Sequence, residues 1–319
     1  MPNYQGVWNI STQYQNRDGW PNAPLTGDIG LTFAGTGGSF TNYQGIEYVI
    51  ISTLGNGTDF GALDVPREGA GAFGSSTRYV MGGNSADPTT TCFGTFSTLG
   101  NATEFGQLTE RLYGACTGAS NSTRGVIAGG NIGSGHTNTI AYCTIATAAN
   151  FADFGDLTEA RATLAGLANT TRAVFGGGDP PSASTSSRID YITISSTGSA
   201  STFGNLTTAR QVRGAGSSST RGVFMGGYTN NPPYNLNNID YITIASTGNS
   251  TDFGDLTVAR RIGNGMSSAT RAIAFGGSAG AQSMDYITIA TTGNASSFGT
   301  LTSYYSDGAS AASNCHGGI

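Results

Sequence analysis

The chain has 319 residues, 50 of them glycine, with 10% charged residues, no lysine and a formal net charge of −5. Its arginines form no cluster, which excludes the electrostatic footprint of a nucleic-acid or anionic-membrane binder. No apolar run approaches the roughly 18 residues of a membrane span, and short apolar runs spaced by Ser, Thr, Asn and Gly predict many short strands rather than helices.

Residues 1–24 stand apart from the rest. Met1 to Gln5 lacks the basic and apolar regions of a secretory leader, so none is expected. Both tryptophans, Trp8 and Trp20, fall in this segment. Tyr4, Trp8, Ile10 and Tyr14 occupy even positions, while Gln5, Asn9, Ser11, Gln13 and Gln15 occupy odd ones. That period of two predicts an extended arm with one apolar face. Two readings stay open. The arm is a strap on the protein's own flank, or it docks on another chain through Tyr4, Trp8, Ile10, Tyr14 and Trp20.

From residue 25 to 319 the chain repeats itself. Phe-Gly recurs at Phe60, Phe105, Phe154, Phe203, Phe253 and Phe298, at intervals of 45 to 50 residues. A leucine follows two residues later each time, and an arginine soon after in five copies: Arg67, Arg111, Arg161, Arg210 and Arg260. Next comes a small-residue segment such as Gly214-Ala215-Gly216-Ser217. Thr-Arg follows, at Arg78, Arg124, Arg172, Arg221 and Arg271. An apolar run then ends in Gly-Gly, as at Val223 to Gly227. After a variable loop comes Ile-Asp-Tyr-Ile-Thr-Ile at 189–194 and 239–244, with looser copies elsewhere.

Each repeat thus predicts four strands. The small-residue strand suits a crowded axis, the apolar strand is buried, the third is β-branched and aromatic, and the Phe-Gly strand is outermost. Four strands in 45–50 residues, six times over, make an all-β, six-bladed β-propeller. The two terminal repeats are complementary. Asp307 to Ser313 fits an inner strand, and Ile29 to Ala34 fits a second strand leading to Gly37-Gly38. One blade is therefore expected to draw on both ends of the chain.

The order Gly-Gly, Tyr, aromatic, Leu, Arg resembles the kelch repeat. Tyr48, Tyr142, Tyr191, Tyr241 and Tyr286 match its third-strand tyrosine, with Phe93 in the second copy. Phe replaces its outer-strand tryptophan throughout. This resemblance implies a kelch-type propeller and no particular function.

No catalytic residue stands out. Asp59, Asp153 and Asp252, and Asp190, Asp240 and Asp285, recur with the repeat, so they are expected to hold blades together. The histidines, His136 and His316, are too few and too far apart in sequence for a shared metal site, and Cys92, Cys116, Cys143 and Cys315 lack zinc spacing. No cofactor is expected. Asn-x-Ser/Thr sequons such as those at Asn56, Asn101 and Asn249 are expected by chance. The second-to-third-strand loops vary most, above all Asp179 to Arg188 and Tyr228 to Asn238. Asp179, Arg188, Tyr228, Tyr234, Asn235 and His136 are the candidate binding residues. Drift in solvated loops is the alternative.

Asp-Tyr-Ile-Thr-Ile, Phe-Gly-x-Leu-Thr, the polar turns and the aromatic start Gly6-Val7-Trp8-Asn9 resemble kelch-like structural proteins of tailed phages, notably those of cyanobacteria. That resemblance implies a virion surface protein: a tail fibre, an adhesin or a capsid decoration. It implies an arm docked on other virion proteins, oligomers as an option, and a propeller facing a host glycan or protein. A free carbohydrate- or protein-binding propeller is the alternative.

Overall fold

A computed structural model describes residues 24–33, 35, 44–83, 87–182, 185–261, 263–278, 282–303 and 308–319. The proposed arm contacts Tyr4, Trp8, Ile10, Tyr14 and Trp20 lie outside these residues. The described residues hold strands β1 to β24 in six four-stranded antiparallel sheets, and no helix. The protein is a six-bladed all-β propeller. Blades 2 to 6 occupy residues 71–107, 117–156, 165–205, 214–255 and 264–300 in chain order, inner strand first.

Blade 1 is composite, as the terminal repeats predict. Its inner strand, Ser310–Ser313, pairs with Ile29–Phe33, placing Ala312 opposite Leu31. Gly37-Gly38, to which this strand is expected to lead, lie outside the described residues. The strand stops at Phe33, and the left-handed glycine at its end is Gly35, with φ +123°. Gly35 donates its N–H to the Arg67 carbonyl at 3.1 Å, as Gly130 does to Arg161 at 3.0 Å. The pairing of Leu31 with Tyr48 sets this register.

The core is six apolar clusters, one between each pair of neighbouring blades. Each outer-strand Phe meets the third-strand aromatic of its own blade edge-on; Tyr191 and Phe203 have ring centroids 5.9 Å apart at 81°. Nearer the axis, sizes are matched across blades. The third residue of each inner strand faces the second residue of the next blade's second strand. Phe73 covers Gly125, Leu167 covers Gly222 and Met266 covers Gly30, so a Cβ on these glycines would collide. At Ala312 the inner residue is small and the partner is the fully buried Tyr79. Tyr79 in turn occupies the space that a side chain on Gly94 would need.

Three sets of hydrogen bonds lock the same interfaces. Each third-to-outer turn covers the outer strand of the preceding blade. Gly248 N–H donates to Phe203 O at 2.8 Å, and Asn249 Oδ1 accepts from Asn205 N–H at 3.0 Å. Asn56, Asn101, Asn150 and Asn294 do the same. This gives the recurrent sequon asparagines a structural role, and it covers edges that would otherwise seek partners. A Cβ at Gly204 would strike the Gly248 carbonyl, which explains the Gly of Phe-Gly. The Thr-Arg arginines work on the following blade. Arg172 lies 4.6 Å over the Tyr191 ring and donates to the carbonyls of Ile244 and Ala245 at 2.9 and 2.8 Å. Arg78, Arg124, Arg221 and Arg271 repeat this, and Arg271 reaches Ile51 O across the closure.

Removing residues 308–319 takes away the inner strand of blade 1. Thermal unfolding is expected to shift down for the whole ring in one transition. An unchanged Tm would overturn the composite closure.

Candidate binding face

Strands alternate in direction, so the second-to-third loops emerge on one face together with the linkers from each outer strand to the next inner strand. All six loop candidates lie there. Tyr228 and Tyr234 stack, with centroids 6.1 Å apart and planes at 17°, and Arg261 lies 4.6 Å over Tyr228 from the neighbouring linker. The predicted loop Tyr228 to Asn238 is corrected to an extended hairpin. Arg221–Tyr228 and Asn235–Thr243 are strands, with Tyr228 paired to Asn235, because the ladder continues past the glycines. Tyr234, at its tip, is 52% exposed.

The other candidates disperse. Asp179 pairs through its main chain with Ala162 and turns toward the axis. Arg188 sits further out, 3.5 Å from Glu159. His136 pairs with Asn131 across a small loop. Among the described residues the exposed large hydrophobics Tyr113, Tyr234 and Val258 belong to this face, while Leu54 lies on the opposite one.

At the axis this face opens into a cavity of about 320 Å³. Its lining includes Glu68, Tyr113, Asn131, Thr163, Asp179, Gln211, Arg213 and Arg261. Most of these come from the outer-to-inner linkers, which sequence reasoning passed over for their near-constant length. One signal was present: the linker after Leu108 is a residue longer than the one after Leu157. That offset exposes Arg111, puts Leu112 in the core and brings Tyr113 to the rim. Main-chain bonds tie the linkers into a collar. Gly69 N–H donates to Gly308 O at 2.7 Å, Thr163 N–H to Ala115 O at 2.7 Å and Val212 N–H to Thr163 O at 3.1 Å. Arg213 Nη2 crosses to Gly69 O at 3.2 Å.

The repeated arginines and aspartates of this face are internal ties. Arg161 and Asp190, both buried, meet at 2.7 Å, and Thr158 Oγ1 donates to the same carboxylate at 2.7 Å. Arg210–Asp240 and Arg260–Asp285 repeat the arrangement. Burial disfavours the arginine charge and the aspartate supports it. Three blades depart from the pattern. In blade 2 the carboxylate moves to the linker, where Asp64 pairs with Arg67 at 3.0 Å, and Cys92 takes the strand position. In blade 1, Glu47 accepts from the N–H groups of Thr302 and Ser303 at 2.8 Å each. In blade 3, Leu112 and Ala141 replace both ions, and both lie in the apolar cluster.

On the opposite face, residues 314–319 lie across the axis. His316 Nε2 donates to Gly74 O at 3.0 Å, close to Ser120 Oγ, and its Nδ1 accepts from Gly318 N–H at 3.1 Å. This pattern selects the neutral ring, and burial lowers the imidazole pKa although the Gly74 bond opposes it. The four cysteines are free, and burial pushes their thiols up, Cys92 and Cys143 to about 12 and Cys116 to about 11. They pack as apolar groups.

Comparison with known proteins finds no family model that matches the chain and no curated protein similar to it. What the fold supports is a binding module.

The Leu112/Ala141 blade predicts a thermodynamic cycle. Asp190→Ala alone is expected to cost about 3–5 kcal/mol in urea unfolding, because it strands a buried guanidinium. Combining it with Arg161→Leu should recover most of that loss. A double variant as unstable as the single one would show that the stranded guanidinium is not the source of the loss.

His316 predicts a pH dependence. An unfolded histidine titrates near 6.5, and the folded value lies lower, so the unfolded chain binds the extra proton first. The stability His316 supplies is present above about 6.5 and is lost as pH falls through its folded value. Denaturant midpoints measured down to about pH 5 should show a shallower decline in His316→Gln than in the parent. Parallel profiles would remove His316 as the titrating group.

Proposed function

We propose that the protein is a non-catalytic binding propeller of the kelch type, carried on the surface of a tailed-phage particle as a tail fibre, adhesin or capsid decoration. The observation that carries the binding part is the loop face: it exposes Tyr113, Tyr234 and Val258 and holds the axial cavity that Tyr113 lines. Exposed aromatics cost solubility unless a partner uses them. The buried pairs at Asp190, Asp240 and Asp285, by contrast, are engaged inside the ring and support scaffolding, whereas Asp59, Asp153 and Asp252 are exposed on the outer strands. The virion part rests on the resemblance of the repeat and of Gly6-Val7-Trp8-Asn9 to phage structural proteins. In this reading residues 1–24 anchor the protein to other virion proteins, and the loop face looks outward to a host glycan or protein. A free lectin-like module is the second reading, favoured by the same face if the arm has no virion partner.

Immunogold labelling of purified particles separates the two. Label on the virion surface is expected, and deletion of residues 1–24 should abolish it while leaving a cooperatively melting propeller. Protein found only in the soluble fraction would exclude the virion role. Tyr234→Ala should weaken attachment of particles to host cells by about tenfold, the loss of one aromatic anchor.

A further inference from the structure

The axial cavity has a lining with a chemical signature. Two arginines, Arg213 and Arg261, are balanced by two carboxylates, Glu68 and Asp179. Asn131 and Gln211 add amides, and Thr163 adds a hydroxyl. Phosphates are held by an excess of cations or by unopposed backbone N–H groups. Here the formal charges cancel, so an anion gains little. An apolar ligand would offer nothing to the Gln211 amide, the Asp179 carboxylate or the Thr163 hydroxyl, at a cost for each. A ring with many hydroxyls, each both donor and acceptor, can satisfy such a lining.

One wall is aromatic. Tyr113 is 36% exposed, and its main chain is pinned from both sides: its N–H donates to Asn131 O at 2.7 Å, and Asn131 N–H donates to Gly114 O at 2.9 Å. Its ring packs beside Gly133, where a Cβ would come within 3.0 Å. A fixed, half-open phenol ring offers a stacking surface for the C–H face of a sugar at little entropic cost. The cavity's 320 Å³ lies at the small end of ligand sites, about 300–1,000 Å³.

The collar supplies an independent observation. Gly69 and Gly308 adopt φ +65° in their linkers, a left-handed conformation that suits glycine. The same region is taken by Ala115, φ +57°, and Thr163, φ +55°. A β-branched residue there is an outlier, and such strain persists at ligand sites when the side chain is needed. Thr163 lines the cavity, whereas a glycine would relieve the backbone and remove the hydroxyl.

Building on the loop face as the binding face, we propose that the axial cavity is a site for one neutral pyranose, the terminal unit of a surface glycan. Tyr113 stacks on the ring. Asn131, Gln211, Asp179 and the Thr163 hydroxyl bond its hydroxyls. The hairpin carrying Tyr228 and Tyr234 stands outside this site and contacts other parts of the partner.

The test uses the full chain with methyl α-glucoside, methyl α-galactoside and methyl α-mannoside as probes. Methyl α-glucuronide and inorganic phosphate are the anionic controls. Saturation-transfer NMR and titration calorimetry report binding, and thermal melts report stability. At least one neutral glycoside is expected to bind, about tenfold more weakly in Tyr113→Ala. Thr163→Gly should also weaken binding while raising the Tm, a combination that a merely structural residue would not give. Tyr234→Ala should leave the affinity for the glycoside unchanged. The proposal is overturned if no neutral glycoside binds, if the glucuronide or phosphate binds more tightly, if Tyr113→Ala and Thr163→Gly bind as the parent does, or if Thr163→Gly lowers the Tm. Should the glycosides fail while Tyr234→Ala still weakens attachment of particles to cells, the loop face stands and only the sugar site falls.

Discussion

A single blade leaves two apolar faces and an unpaired outer edge in water, and only another blade can cover them. The hydrophobic gain is therefore realised between repeats rather than within them. The pairs Phe73–Gly125, Leu167–Gly222, Met266–Gly30 and Ala312–Tyr79 show how narrowly this is tuned. Close-packed interiors tolerate neither a void nor an extra methylene, so a large residue on one blade requires a glycine on the next. The matching holds at four of the six junctions, including the two made by blade 1, while small residues meet at the other two, Ala119 with Ala173 and Gly216 with Ala272. It couples the blades into one ring and makes closure by the Ser310–Ser313 strand a condition for the rest.

The polar ties follow from the same geometry. At four of the six junctions the linker from an outer strand to the next blade sends a buried arginine, Arg67, Arg161, Arg210 or Arg260, into a space that water cannot fill. Three blades satisfy it with an aspartate on the third strand. Blade 2 supplies the carboxylate from the linker instead, and blade 3 abandons both charges for Leu112 and Ala141. The chain thus contains its own comparison of a buried ion pair with an apolar substitute. That all variants occupy equivalent blades fits the general finding that such pairs cost desolvation as well as giving attraction.

A ring closed this way presents its loops from a rigid frame. The collar of linker bonds and the crossing Arg213 hold the cavity mouth, while residues 314–319 close the axis from the other side. The long hairpin of blade 5 rises beside it, with Arg261, Tyr228 and Tyr234 in one stack. Sites built on such frames keep their side chains in place before a ligand arrives, which lowers the entropic cost of binding.

The repeat made the propeller, its six blades and its composite closure legible without coordinates. Period, β-branching and glycine placement are local properties, copied six times, and each copy reinforces the others. The Asp-Tyr and Phe-Gly copies marked the third and outer strands for the same reason. The face bearing the variable loops could also be read, because strand alternation alone decides it. The left-handed Gly35 just past the first strand depended on cross-strand register with Tyr48. The hairpin mistaken for a loop depended on the ladder running past Gly226 and Gly227. The cavity depended on more still. Glu68, Tyr113, Thr163, Gln211, Arg213 and Arg261 are scattered over nearly two hundred positions and share no motif. They meet because six linkers converge on one axis, and convergence on an axis is a property of the closed ring, not of any segment in it.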